Sequence, residues 1–445
     1  MSPDSHTATS PTSTIDLRTR GHLLPNVLLR HALILLILLV VTFSGCSGTR
    51  YLWSQADRHY TAVKIKDWNH APGGSGRTIR ILLVHGMNTH PFGTLQSGQP
   101  NLLGSDSYVD LQRKLERMVK SKQDLSAAFA AAEASNWAEF ITNIAGLLHN
   151  RELSHADHQF RFIAGQDQKP IGYIFTRSFG RNENGVKIKF YIANWSLGSA
   201  VLKEPRFGKW SLLLQSPSQV HPDGAVKDFD PRLNAERALV NKIAKEQVMD
   251  WGLGDAALYL GDESAEFQKP VRAALETLIA ESGADDRIAI ITHSLGSTIT
   301  LDTMAPMLSG TGFSSLTRPV EGTRATKPSG VAFYMFANQY GLLKLGAEQA
   351  FTRLDTALTA AHLGRHQGVA MQVYAFTDPD DLLSYPLNIT QKRFISFCNV
   401  FVHNETVDLG LFREPAEVHV NYMTNHKILE AMLNSPANVI TPKGR

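Results

Sequence analysis

Cysteine is almost missing from this sequence: 445 residues contain two, Cys46 and Cys398. That is too few for a disulfide framework, and their spacing suits no metal site. A surplus of one charge is missing as well. Lys plus Arg number 44 and Asp plus Glu 41, a formal net charge of +3, so the electrostatics give no argument for a nucleic-acid partner and none is expected. Long hydrophobic runs are scarce. The apolar stretch from Ala32 to Phe43 falls short of the about 20 residues that a bilayer-spanning helix requires. No internal repeat is visible. What is present is core-forming material: 43% hydrophobic and 9% aromatic residues against 19% charged ones, which excludes global disorder and a charge-driven scaffold. The length suits two or three domains, or one domain with large embellishments.

The first 45 residues read as an address. Residues 1–14 are rich in Ser, Thr and Pro, and Arg18, Arg20 and Arg30 precede the apolar stretch, which is the layout of a secretory signal. Phe43-Ser44-Gly45-Cys46-Ser47 follows at once and resembles the lipobox of bacterial lipoproteins. The resemblance implies that residues 1–45 are a signal peptide and that Cys46 is lipidated as the mature N-terminus. Acyl chains contribute about 0.8 kcal/mol per buried CH₂, enough for several chains to hold a protein on a membrane. Ser47 stands where an Asp would imply inner-membrane retention, so the expected location is the cell envelope, on the periplasmic face of the outer membrane. The alternatives are an uncleaved N-terminal segment in the inner membrane and plain secretion. A lipidated Cys46 leaves Cys398 with no cysteine to pair with. Residues 46–77 then form the lipidated N-terminus and a tether ending in Pro72-Gly73-Gly74-Ser75-Gly76, a turn-rich stretch.

The folded body is expected over 78–435, with 436–445 as a tail. Ile79 to Val84 is a short β-branched apolar run, as expected of a strand buried on both faces, and Arg287 to Thr292, Gly330 to Phe336, Val369 to Phe376 and Phe394 to Val402 read alike. Phe267, Val271, Leu275 and Leu278 fall at helical spacing before the second of these, with Gly283 as a stop. Strands alternating with helices predict an α/β fold with a mostly parallel central sheet. The interval from His85 to Ser294 far exceeds what two strand–helix–strand units of about 30 residues each need. It therefore holds an insertion, placed at about 90–190. That insertion contains an Ala-rich helical stretch, Leu125 to Leu148, and two β-like runs, Ile171 to Phe179 and Val186 to Trp195. The turn Asn182-Glu183-Asn184-Gly185 makes a hairpin of them, and its second arm is a candidate for the main sheet.

Chemistry concentrates at Thr292-His293-Ser294-Leu295-Gly296, between an expected strand and an expected helix. It nearly matches G-x-S-x-G, the nucleophile elbow, with Thr292 in place of the first Gly. With the His85-Gly86-Met87-Asn88 loop, this resembles the α/β-hydrolase superfamily, in particular its lipase- and esterase-like members, over roughly residues 78–433. The resemblance implies Ser294 as nucleophile, followed along the chain by an acid and then a histidine. Asp381 in Thr377-Asp378-Pro379-Asp380-Asp381 is favoured as the acid, with Asp378 as its alternative and Asp380 as a turn residue. His419 is favoured as the base because Val418-His419-Val420-Asn421-Tyr422 resembles the family's His-x-x-Tyr and precedes a final helix from Asn425 to Leu433. His403 and His426 are its competitors. An oxyanion hole is implied at the backbone N–H of Met87 or Asn88 together with that of Leu295, supported by His85 and Gly86. The resemblance implies no metal and no organic cofactor, and His149, His155, Asp157 and His158 read as a polar loop. Trp195, Trp210 and Trp251 read as core before they read as an acyl pocket.

The expected activity is a serine ester hydrolase acting on a small-molecule or lipid ester, held to the membrane through Cys46. The rival readings are an inactive binding lipoprotein on the same fold and a serine peptidase. Metabolic labelling with a fatty acid tests the anchor: label enters the wild-type protein and is lost in Cys46→Ala, and equal labelling of the two defeats the lipoprotein assignment.

Overall fold

Strand-forming runs of this sequence come together in one sheet. The computed structural model describes residues 52–56, 65–68, 77–87, 102–104, 108–121, 125–134, 137–151, 157–203, 253–283, 286–307, 331–343, 348–362, 370–379, 381–390, 392–402, 418–419 and 421–434. All of them fall in one unit, Arg50–Asn404 with Pro415–Arg445. Its strands are β1 (Leu52–Ala56), β2 (Thr78–Val84), β3 (Gln159–Ala164), β4 (Pro170–Phe179), β5 (Lys187–Asn194), β6 (Arg287–His293), β7 (Val331–Phe336), β8 (Met371–Thr377) and β9 (Ile395–Val402). Across the 9-stranded sheet the order is β1-β9-β8-β7-β6-β2-β5-β4-β3.

The middle of the sheet, β9-β8-β7-β6-β2-β5, is parallel. Its strands are apolar on both faces because helices cover both: β7 and β8 are buried at every position. Within β2, Ile79, Ile81 and Leu83 enter one core cluster and Leu82 and Val84 the other, as the period of two demands. The first cluster is completed by α1 (Tyr108–Lys120), α2 (Ser126–Glu133) and α3 (Ala138–Leu147). After these come α4 (Ser196–Lys203), α5 (Gly254–Leu260), α6 (Ser264–Glu281), α7 (Leu295–Met307), α8 (Glu348–His362) and α9 (His426–Asn434). Leu258, Phe267, Val271, Leu275, Ile299, Met304, Phe351 and Leu354, from α5 to α8, line the second cluster, whereas Ile428, Leu429 and Met432 of α9 return to the first.

The α/β class and the expected strands and helices are found, but the sheet is mixed rather than mostly parallel. Both flanks are antiparallel: β1 on β9, and β3 and β4 beyond β5. The short reversals from β3 to β4 and from β4 to β5 allow nothing else, whereas β1 meets β9 from far along the chain. At the β4–β5 turn the Asn182 Oδ1 accepts from the N–H groups of Asn184 (3.0 Å) and Val186 (3.1 Å), and Gly185 takes φ +76. Both arms of that hairpin belong to the main sheet, so the insertion placed at about 90–190 is shorter than expected. A tether over 46–77 is also corrected: Leu52–Ala56 pairs along β9, and Ile65 and Trp68 of a short helix are buried in the first core cluster. The Ala-rich stretch divides into α2 and α3. Cys46 lies outside the described residues, and Cys398, in β9, is buried.

Glycine has opposite meanings at two places. A Cβ on Gly172 in β4 would stand 2.1 Å from the Asn194 carbonyl oxygen and 2.6 Å from Pro270 Cγ, whereas one on Gly146 in α3 would meet nothing within 4 Å. Chemical denaturation is expected to show Gly172→Ala destabilised by about 1–3 kcal/mol and Gly146→Ala stabilised by about 0.5–1 kcal/mol, the helix-propensity difference.

Candidate active site

In an open α/β sheet, the crevice for a ligand lies at the carboxyl ends of strands where the chain's direction of progress reverses. Here that place lies between β2 and β6: from β2 the chain crosses to the edge strand β3 and returns inward through β4 and β5, whereas from β6 it builds outward through β7, β8 and β9. The exits of β2, β6 and β8 carry the His85-Gly86 loop, Ser294 and the 378–381 acid loop, respectively.

Ser294 occupies a left-handed turn at φ +54, a conformation that costs a non-glycine residue about 1–3 kcal/mol and persists only where neighbours hold it. The Ser294 N–H donates to the Phe336 carbonyl at the end of β7 (2.8 Å), and its carbonyl accepts from the Ser297 N–H (3.0 Å). Close packing supplies the rest. A Cβ on Gly296 would stand 2.4 Å from the His85 carbonyl oxygen, and one on Gly86 would stand 2.6 Å from Ser294 Cβ and 2.7 Å from His293 Nδ1. Gly86 was expected to let backbone approach a substrate; it first makes room for the serine and the residue before it. Thr292 is fully buried in place of the motif's Gly, and its hydroxyl is satisfied by Ser297 Oγ (2.8 Å) and the Tyr334 carbonyl (3.2 Å).

The structure brings Ser294, His419 and Asp381 into one hydrogen-bonded line. His419 Nε2 lies 2.8 Å from Ser294 Oγ, and His419 Nδ1 lies 2.9 Å from both carboxylate oxygens of Asp381. A carboxylate only accepts, so Nδ1 carries the proton and Nε2 is left to accept from the serine. Asp381 also accepts from the Leu383 N–H (3.0 Å) and the Tyr422 hydroxyl (3.2 Å). Tyr422 is the residue of the His-x-x-Tyr pattern to which the sequence assigns no task. Its hydroxyl in turn accepts from the Asp378 N–H at 2.6 Å. Burial, reinforced by the Asp381 charge, holds the Tyr422 phenol well above its usual range, so it stays a donor. Asp378, the alternative acid, is buried and contributes its backbone to this brace, while Asp381 takes His419 Nδ1. His426 sits on α9, 3.5 Å from Glu430. Asp380 and His403 lie outside the described residues.

The β2 exit loop is held by Trp195. The Trp195 backbone N–H donates to His85 Nε2 and its indole N–H to the His85 carbonyl, both at 3.1 Å, with the rings stacked at 4.5 Å. His85 Nδ1 therefore bears the proton and donates to the Gly86 carbonyl at 2.8 Å. Met87 is partly buried against the core, Leu295 opens α7 beside the serine, and Asn88 lies outside the described residues. The first N–H groups of a helix have no partner within it and favour negative charge. Trp195 thus belongs to the core, and no sequence signal connects it to the loop that it orders; Trp210 and Trp251 lie outside the described residues. His293 is a second unforeseen member: its Nε2–H donates to the His419 carbonyl at 2.7 Å.

Among the described residues no group of three or more His, Cys, Asp or Glu side chains is placed to hold a metal ion. No family model, no curated protein and no solved structure matches this chain.

Burial lowers the pKa of His85 to about 4 and, with the nearby His419 as a lesser cause, that of His293 to about 3. Both imidazoles are neutral in the folded chain and protonate near 6.5 once unfolded. The unfolded state therefore binds more protons between these values, and stability is lost as the pH falls. For His85 the loss begins near pH 6.5 and is complete near pH 4, on the order of 3 kcal/mol. Denaturant titrations at about pH 7 and pH 4.5 are expected to show this drop in the wild type and a smaller one in His85→Asn.

Proposed function

We propose that this chain is a serine hydrolase of the α/β-hydrolase type that cleaves carboxylic esters through an acyl-enzyme. The observation that supports this most is the line from Ser294 Oγ through His419 to Asp381 at 2.8 and 2.9 Å, with the serine on a left-handed turn between a parallel strand and a helix. The chain order of serine, acid and histidine agrees with that fold.

In the first half-reaction Ser294 Oγ attacks the ester carbonyl carbon while its proton passes to His419 Nε2. Asp381 stabilises the imidazolium through Nδ1–H, and the N–H groups of Leu295 and of the Met87–Asn88 segment receive the oxyanion. One such donor is worth about 10²–10³ in rate. Collapse of the tetrahedral intermediate breaks the bond to the alcohol, which leaves with the proton from His419. Water then repeats the sequence on the acyl-enzyme, releasing the acid and restoring Ser294. Leu382 and Tyr385, exposed at 66% and 42%, follow Asp381 in the chain and give its loop apolar surface, which would suit an acyl or alkyl substituent.

Lipidation of Cys46 and attachment at the periplasmic face of the outer membrane complete the proposal. Among the described residues no helix is long and apolar enough to cross a membrane.

A fluorophosphonate probe is expected to label the wild type and not Ser294→Ala, and the same variant is expected to lose about 10⁴-fold or more in hydrolysis of short-chain acyl esters. Absence of labelling in the wild type, or equal labelling of Ser294→Ala, overturns the assignment. Hydrolysis of peptides but not of acyl esters overturns the substrate class alone.

A further inference from the structure

His419 and Ser294 are 125 residues apart in the chain, and His419 stands on no strand. Its ring is held by two groups, Ser294 Oγ and Asp381, and one of these changes partner during the proposed reaction: Nε2 must first take the serine proton and then present it to the departing alcohol. A ring that changes partner needs a main chain that does not move with it.

We propose that His293 is a positioning residue that clamps the backbone of His419 to the strand carrying the nucleophile. The clamp is the hydrogen bond from His293 Nε2–H to the His419 carbonyl, 2.7 Å long. This rests on the reading of Ser294, His419 and Asp381 as a working triad. Three features of the site make the contact specific. The two imidazoles stand 5.0 Å apart at 60°, so His293 reaches the main chain of His419 and leaves the two ring nitrogens to Asp381 and Ser294. Gly86 supplies the space, since a Cβ there would stand 2.7 Å from His293 Nδ1. His293 is also adjacent in sequence to the serine, so one residue step separates the nucleophile from the group that fixes its base.

The electrostatics agree with this role. Positive charge develops on His419 as it takes the serine proton, and a second imidazolium 5 Å away would oppose it. Burial keeps His293 neutral, with its pKa lowered to about 3, so the clamp adds a hydrogen bond without adding a repelling charge.

The test compares His293→Gln, which places an amide N–H near the position of Nε2, with His293→Asn, whose amide reaches only the position of Nδ1, and His293→Leu, which keeps volume without a donor. The readouts are the rate constant for labelling of Ser294 by a fluorophosphonate, kcat and KM for p-nitrophenyl butyrate, and the melting temperature. Leu and Asn are expected to lower both the labelling rate and kcat by about 10–100-fold, the scale of a misplaced catalytic group, with KM within about twofold. Gln is expected to recover to within about fivefold of the wild type, in an order that the melting temperatures do not follow. Wild-type rates in His293→Leu, equal losses in Gln and Asn, or an effect confined to KM overturn the clamp while leaving the triad intact. A wild type that neither labels nor hydrolyses overturns the triad reading, and the clamp with it.

Discussion

Backbone crowds backbone where the exit of β2 meets the turn from β6 into α7, and that contact governs the site. Gly86 and Gly296 have no room for a Cβ on either side of it, the nearest atoms being Ser294 Cβ at 2.6 Å and the His85 carbonyl oxygen at 2.4 Å. The parallel register sets the meeting point, since Val84, the last residue of β2, pairs with Thr292, one residue before the end of β6. An elbow this tight turns Ser294 into the left-handed region, where its hydroxyl meets His419 Nε2. Strain at that one residue is tolerated because the Phe336 carbonyl and the first turn of α7 hold its main chain.

Around this contact each part of the site is braced from a neighbouring element by a buried polar side chain. Trp195, from the end of β5, orders the His85 loop; Tyr422, ahead of α9, joins Asp381 to the backbone of Asp378; Thr292 ties β6 to α7 and β7. Buried polar groups are costly unless satisfied and directional when they are. Thr292 illustrates the point. Where the motif has Gly, this chain has a hydroxyl and a methyl group, and the hydroxyl bonds to Ser297 Oγ, so the elbow keeps its shape with a larger residue.

Much of the α/β core was legible because a strand buried on both faces is a run of β-branched and aromatic residues, as in β6, β7, β8 and β9. The hairpin of β4 and β5 was legible through its Asn-Gly turn. β1 was not: Leu-Trp-Ser-Gln-Ala has no period, and its pairing with β9 comes from distant sequence. The short helix at Ile65–Trp68 was hidden by the Gly-rich stretch after it. β3 is a flank strand of mixed exposure, a pattern that loops share. In the site, Ser294, Asp381 and His419 could be named because the resemblance to the α/β-hydrolase pattern implies their order along the chain and a His-x-x-Tyr at the last of them. The bonds of His293 and Tyr422 could not, since each has a main-chain partner, the His419 carbonyl and the Asp378 N–H, and a main-chain group leaves no mark in a sequence.

Ile65 and Trp68 share a core cluster with Ile428, Leu429 and Met432, and the short helix that carries the first two packs against α9. The beginning and the end of the folded unit therefore complete each other. Synthesis delivers the β2 exit early, Ser294 later, and His419 with Tyr422 later still, so a chain that stops before His419 lacks both the proposed base and the brace of Asp381. Under the proposed function, no such partial chain on the ribosome is competent. The proposed chemistry would begin only once His419 and Tyr422 have been made and the short helix at Ile65–Trp68 has met α9.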